Sequence, residues 1–61
     1  MRANYFIDDC PATYSECLEY FELNSGFSRD DAKRVFNENN TPESCDYLTE
    51  ECSEIKIVYS E

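Results

Sequence analysis

The sequence predicts a small single domain of the α+β class, spanning residues 1–61 in the order strand, three short helices, strand. Sixty-one residues is the length of one domain. Short runs of β-branched and aromatic residues lie near both ends, and three helix-start patterns lie between them. A lone strand leaves its backbone groups unsatisfied, so we expect the two strands to pair as a ribbon packed on the helices. An all-helical core with frayed ends is the alternative.

The first strand and the start of the first helix are marked by local signals. Residues 5–7 (Tyr-Phe-Ile) form a short apolar run that ends at two aspartates. A helix can open at residues 9–11, with Pro11 in its first turn. It can also open at Thr13, because Thr13 and Glu16 match a capping box. Both starts are compatible with the residues that follow.

Three apolar faces are expected from helical periodicity. The first helix ends at Gly26, the only glycine, where a left-handed cap belongs. Ser28 caps the second helix, which ends in a polar break at residues 37–40, and Thr41 with Pro42 begins the third. The final strand covers residues 54–59. The side chains expected in the core are Tyr14, Leu18, Phe21, Val35, Phe36, Leu48, Ile55 and Ile57.

Four cysteines occur as two pairs with the same spacing, Cys10 with Cys17 and Cys45 with Cys52. Seven helical residues separate two side chains by roughly 10.5 Å along the axis, too far for a disulfide within either pair. Two segments packed as an antiparallel hairpin would instead allow Cys10–Cys52 and Cys17–Cys45 bridges. Reduced cysteines acting as small core side chains are the alternative, which a reducing compartment favours. The long spacing disfavours a zinc site, and we expect no metal.

Several classes of protein are excluded by composition. The chain has no histidine, no glycine-rich phosphate loop and too few residues to enclose a substrate pocket beside a core, so we expect neither an enzyme nor a cofactor. Five basic residues cannot supply the clustered phosphate contacts of a nucleic-acid-binding surface. No apolar run is long enough for a membrane span, and the N-terminus lacks a signal-peptide pattern, so a cytoplasmic location is expected.

The net charge of −9 is the most unusual property of the chain. A solubilising surface does not require so large a charge, which costs stability by self-repulsion. Acids recur at three- and four-residue steps on the first and third helices, so each row forms a ladder of negative charge. Such a ladder could occupy a groove made for DNA or RNA. The candidate partner-binding residues are Glu16, Glu19, Glu22, Asp30, Asp31, Glu43, Asp46, Glu50, Glu51 and Glu54.

In size, acidity and lack of catalytic residues, the chain resembles small phage-encoded anti-defence proteins, among them anti-CRISPR proteins and antirestriction DNA mimics. The resemblance covers the whole chain as composition and includes no family motif. It implies inhibition of a basic nucleic-acid-binding protein or ribonucleoprotein in the cytoplasm of an infected bacterium. From composition and chain length, we expect no direct contact with nucleic acid, membrane or a small-molecule substrate. A cytosolic adaptor, or a secreted domain stapled by two disulfides, is the alternative.

Overall fold

A three-stranded antiparallel sheet and three helices make up the computed structural model, which describes residues 2–61. The predicted α+β class is confirmed. The elements in chain order are β1 (Arg2–Ile7), β2 (Cys10–Ala12), α1 (Tyr14–Ser25), α2 (Arg29–Asn39), α3 (Cys45–Glu51) and β3 (Ile55–Ser60).

The central strand of the sheet is β1, which lies between β2 and β3. Its pairing with β3 is antiparallel and places Tyr5 opposite Ile57 and Ile7 opposite Ile55. These side chains share one sheet face and contact the core. The predicted ribbon of two terminal strands is therefore present, and it is extended by a third strand that the sequence analysis did not include.

The third strand, β2, follows β1 through a two-residue turn. Asp8 and Asp9 both have positive φ, 54° and 66°, as a type I′ hairpin turn requires. Ile7 then pairs with Cys10. The helix start predicted at residues 9–11 is wrong, because these residues belong to the turn and to β2. Pro11 is tolerated in β2 because this strand lies at the sheet edge, where a missing N–H breaks no central ladder.

Local capping signals located the first two helix starts correctly. The Thr13 hydroxyl accepts a hydrogen bond from the Glu16 N–H at 3.1 Å, and the Thr13 N–H donates to Glu16 Oε1 at 2.9 Å. This is the predicted capping box. The Ser28 hydroxyl accepts from the Asp31 N–H at 3.3 Å at the start of α2. Gly26 ends α1 at φ 84°, the left-handed conformation expected there.

The connection between α2 and α3 differs from the prediction. The second helix continues through Asn39, so the polar break predicted at residues 37–40 is wrong over most of its length. The third helix begins at Cys45 and not directly after Thr41. Thr41 still organises the turn that leads into α3: its hydroxyl accepts from the Ser44 N–H at 3.1 Å, and its carbonyl accepts from the Cys45 N–H at 2.9 Å.

The core lies between the helices and one face of the sheet. Aromatic rings dominate it: the Phe21 and Phe36 ring centroids are 5.8 Å apart, and Tyr14 meets Phe36 edge-on at 5.6 Å. Of the eight predicted core residues, Phe21, Phe36, Leu48 and Ile55 are fully buried, and the other four are partly buried against them. The remaining buried side chains are small: Cys17, Ala32 and Cys52.

Candidate acidic interface

The ten predicted partner-binding acids all lie at the surface. Nine are exposed and Glu22 is half-buried. Their surroundings differ, however, because the fold brings basic side chains close to some of them and not to others. The structure therefore separates the acids into those with a structural role, those that share a groove or an ion pair with basic residues, and those of α3, which take part in neither.

Glu16 has a structural role. Its carboxylate accepts the Thr13 backbone N–H that would otherwise lack a partner at the start of α1. Replacing it by lysine would remove this bond and place a positive charge at the positive end of the helix. Glu16 therefore cannot serve as a simple probe of surface charge.

Glu19 and Glu22 lie along a groove between α1 and α2, and α2 contributes Arg29 and Lys33 to the same groove. Two cations thus line the same groove as these two acids, although none of the four takes part in an ion pair of the described residues. Asp31, in the first turn of α2, lies 3.4 Å from the Arg34 guanidinium. Asp30 is beside it in the first turn, where the helix dipole favours an acid. The α1–α2 side of the molecule is therefore of mixed charge.

The acids of α3 take part in neither ion pair of the described residues, and no basic residue is close to them along the chain. Residues 35–55 contain six acids and no lysine or arginine. On α3, Leu48 is fully buried, while Asp46 and Glu50 lie two positions before and after it, on nearly the opposite side of the helix. Glu51 follows on the flank, and Glu43 lies in the turn that precedes the helix. These four residues form what we call the α3 acidic face.

An aromatic ring accompanies these acids. Tyr47 is 36% exposed. Among the described residues, it is one of three large apolar side chains that are at least this exposed. It precedes Glu50 by three residues and Glu51 by four, the separations at which helical side chains are neighbours. The sequence analysis did not single out Tyr47, since its outward direction depends on which face of α3 is buried.

The hairpin turn adds two acids, Asp8 and Asp9, that are not among the ten partner-binding residues predicted from the sequence. The Asp8 backbone N–H donates to the Glu54 carbonyl oxygen at 2.8 Å, which places the turn beside the segment between α3 and β3. Tyr20 of α1 lies at the same end. Partial desolvation raises the pKa of its hydroxyl, and electrostatic repulsion, mainly from Glu54 with smaller effects of Cys52 and Asp8, raises it further. Negative charge therefore continues from α3 to the turn.

Of the two alternatives left open for the cysteines, the structure has the reduced one and not the Cys10–Cys52 and Cys17–Cys45 bridges. All four are free thiols: Cys17 and Cys52 are buried, Cys45 is half-buried and Cys10 is exposed. The proposed register required Cys10 to lie on a helix, but it lies on β2. Burial, with a smaller effect of Glu16, raises the pKa of Cys17 to about 11, and burial also raises the pKa of Cys52. Both thiols are therefore poor nucleophiles at neutral pH.

No protein family, curated protein or solved structure matches the chain. Within residues 2–61, no helix is long and apolar enough to cross a membrane. Over the same residues, no group of three or more acidic or cysteine side chains is arranged to hold a metal ion. The most distinctive feature of the described surface is its unequal charge: a mixed α1–α2 side, and an α3 acidic face that carries an exposed tyrosine.

Proposed function

We propose that this protein is an acidic inhibitor that binds a nucleic-acid-binding complex of a bacterial defence system, of the CRISPR-Cas or restriction type. It blocks the DNA or RNA site of that complex by imitating phosphate charge, in the cytoplasm of an infected host. The observation that carries the proposal is the α3 acidic face, where exposed Asp46 and Glu50 lie opposite buried Leu48 and take part in neither ion pair of the described residues. The target contributes a groove lined by lysine and arginine.

The spacing of the α3 acids suits this role. Four residues of helix advance about 6 Å, so Asp46 and Glu50 are separated along the axis by a distance comparable to the few ångströms between successive phosphates. Their backbone is held by Leu48, which is buried in the core. A rigid row of charges loses little conformational entropy on binding and attracts a basic groove from a distance.

Tyr47 supplies an apolar contact that can be removed from water, which the charged side chains do not provide. Long-range attraction mainly accelerates association, whereas residence time depends on desolvated contacts at the centre of an interface. Tyrosine is enriched among the residues that dominate binding energy. We expect Tyr47 to enter a gap between basic side chains of the target while the surrounding carboxylates contact them.

The test begins with capture from bacterial lysates that contain CRISPR and restriction complexes, followed by mass spectrometry. The wild-type protein is compared with an α3 variant, Asp46→Lys with Glu50→Lys. The control is Asp30→Lys with Glu38→Lys, which makes the same change of charge on α2. Circular dichroism establishes that all three proteins are folded. We expect the wild type and the control to capture the same complex, and the α3 variant to lose it.

Competition with nucleic acid then distinguishes mimicry of phosphate charge from other modes of binding. DNA or RNA substrate should displace the wild-type protein from the captured complex, and salt should weaken binding because ions screen the charges. Tyr47→Ala should mainly speed dissociation. The proposal is wrong if the folded α3 variant binds like the wild type, or if inhibitor and nucleic acid bind together. Binding that depends on Tyr47 but not on the acids would instead identify an adaptor that recognises its partner through apolar contacts.

A further inference from the structure

The groove between α1 and α2 has two walls of opposite charge. Glu19 and Glu22 lie on the α1 side, and Arg29 and Lys33 lie on the α2 side. The groove has a volume of about 560 Å³, and Leu18 and Leu23 form its apolar part. Leu23 is 74% exposed, the most exposed large apolar side chain among residues 2–61. The groove therefore combines an apolar strip with four charged side chains.

None of these four charged groups takes part in an ion pair among residues 2–61. The ion pairs of the described residues are Arg34 with Asp31, at 3.4 Å, and Arg34 with Glu38, at 3.9 Å. The carboxylates of Glu19 and Glu22 take part in neither, nor do the cationic groups of Arg29 and Lys33. Each wall thus presents charge that a second molecule can pair with.

We propose that the groove is the interface of a homodimer. A two-fold axis along the groove turns one copy so that its acidic wall lies over the basic wall of the other. Each acidic side chain of one copy then lies opposite a basic side chain of the other. Each such pair occurs twice, because an isologous interface repeats every contact. The same rotation brings the two Leu23 side chains to the middle of the interface, where their exposed apolar surface is removed from water.

The distribution of basic residues favours a second copy as the occupant. A chain of net charge −9 repels itself, so self-association must use its least negative surface. Three of the five basic residues, Arg29, Lys33 and Arg34, lie on α2. The α3 acidic face does not line the groove and stays free in the dimer. This inference is thus independent of the proposed inhibition.

Sedimentation velocity and native mass spectrometry test the dimer directly. With rising concentration, the mass of the wild-type protein should shift from that of one chain to that of two. Two charge variants should each stay monomeric: Glu19→Lys with Glu22→Lys has two basic walls, and Arg29→Glu with Lys33→Glu has two acidic walls. Reversal should raise the dimer dissociation constant about tenfold or more, since like charges then face each other.

The decisive measurement is made on a mixture of the two charge variants. A heterodimer should form, because the basic walls of the first variant then face the acidic walls of the second. Leu23→Ser, at an exposed position, should weaken the dimer without affecting folding. The matched control, Asp46→Lys with Glu50→Lys, should dimerise at least as well as the wild type. A wild-type protein that is monomeric at all concentrations overturns the proposal, as do charge variants that dimerise alone or fail to pair when mixed.

Discussion

The Tyr59 hydroxyl donates a hydrogen bond to Asn40 Oδ1 at 2.6 Å, joining the end of β3 to the residue that follows α2. The amide of the same asparagine donates to the Tyr5 hydroxyl at 2.7 Å. Asn40 therefore bridges two tyrosines on neighbouring strands. A side chain in the connection between α2 and α3 thus holds the helical layer against the sheet.

Replacing Asn40 by alanine should lower the free energy of unfolding by ~1–3 kcal/mol, because both tyrosine hydroxyls lose their partner in a partly buried environment. Urea unfolding followed by circular dichroism measures the change. Asn24→Ala is the matched control: its amide contacts only the Tyr20 carbonyl within its own helix, so the effect should stay within ~0.5 kcal/mol. Equal effects of the two substitutions would contradict the bridging role.

Stability should decrease at alkaline pH because of Tyr59. Burial, with smaller effects of Cys45, Tyr5 and Glu43, raises its pKa to about 12, above the ordinary value of 10.0. The unfolded chain therefore loses this proton first, and the free energy of unfolding falls as pH rises from about 10 to 12. The loss attributable to this group is at most about 3 kcal/mol.

Tyr59→Phe isolates this contribution to the pH dependence. The variant lacks the hydroxyl, so it should be less stable near neutral pH but should lose less stability between pH 10 and 12. Cys17, whose pKa is about 11, contributes a decrease of the same sign to both proteins and cancels in the comparison. Denaturant midpoints measured across this range give the result. Parallel profiles for the two proteins would show that Tyr59 does not titrate as expected.

The four thiols should differ in reactivity. In the native protein, a maleimide should modify exposed Cys10 first, while buried Cys17 and Cys52 stay protected. The raised pKa of Cys17 adds to this protection, since the reactive thiolate is scarce at neutral pH. In denaturant without reductant, all four cysteines should be labelled, as counted by mass spectrometry. Labelling of fewer than four would indicate a disulfide and an oxidising compartment.

The hairpin turn allows a test of backbone strain at constant charge. Asp9 has φ 66°, a conformation that glycine adopts freely and valine does not. Asp9→Gly should therefore be neutral or stabilise the protein, whereas Asp9→Val should destabilise it by ~1–2 kcal/mol. Both variants remove the same carboxylate, so the difference between their unfolding free energies reports the backbone alone. Equal stabilities would argue against the left-handed turn.

Sequence patterns predicted those features that depend on neighbouring residues. Thr13 with Glu16, Ser28 and Gly26 form their hydrogen bonds or adopt their conformations within a few residues, so the local sequence was sufficient. The strand β2 was missed because Asp8 and Asp9 are not the usual Asn-Gly turn pair, and because Pro11 suggested a helix. Residues 37–40 suggested a break because the tyrosines that bond Asn37 and Asn40 are far away along the chain.

By itself, the sequence determined the α+β class, the caps of α1 and α2, the pairing of the terminal strands and the large negative charge. Each follows from short-range hydrogen bonding, from apolar periodicity or from composition. Only the tertiary structure decided which acids face cations. Arg29 and Lys33 share a groove with Glu19 and Glu22 because α2 packs against α1, whereas burial of Leu48 directs Asp46 and Glu50 outward. Charge balance at a surface depends on distances across the fold, which residue order along the chain does not specify.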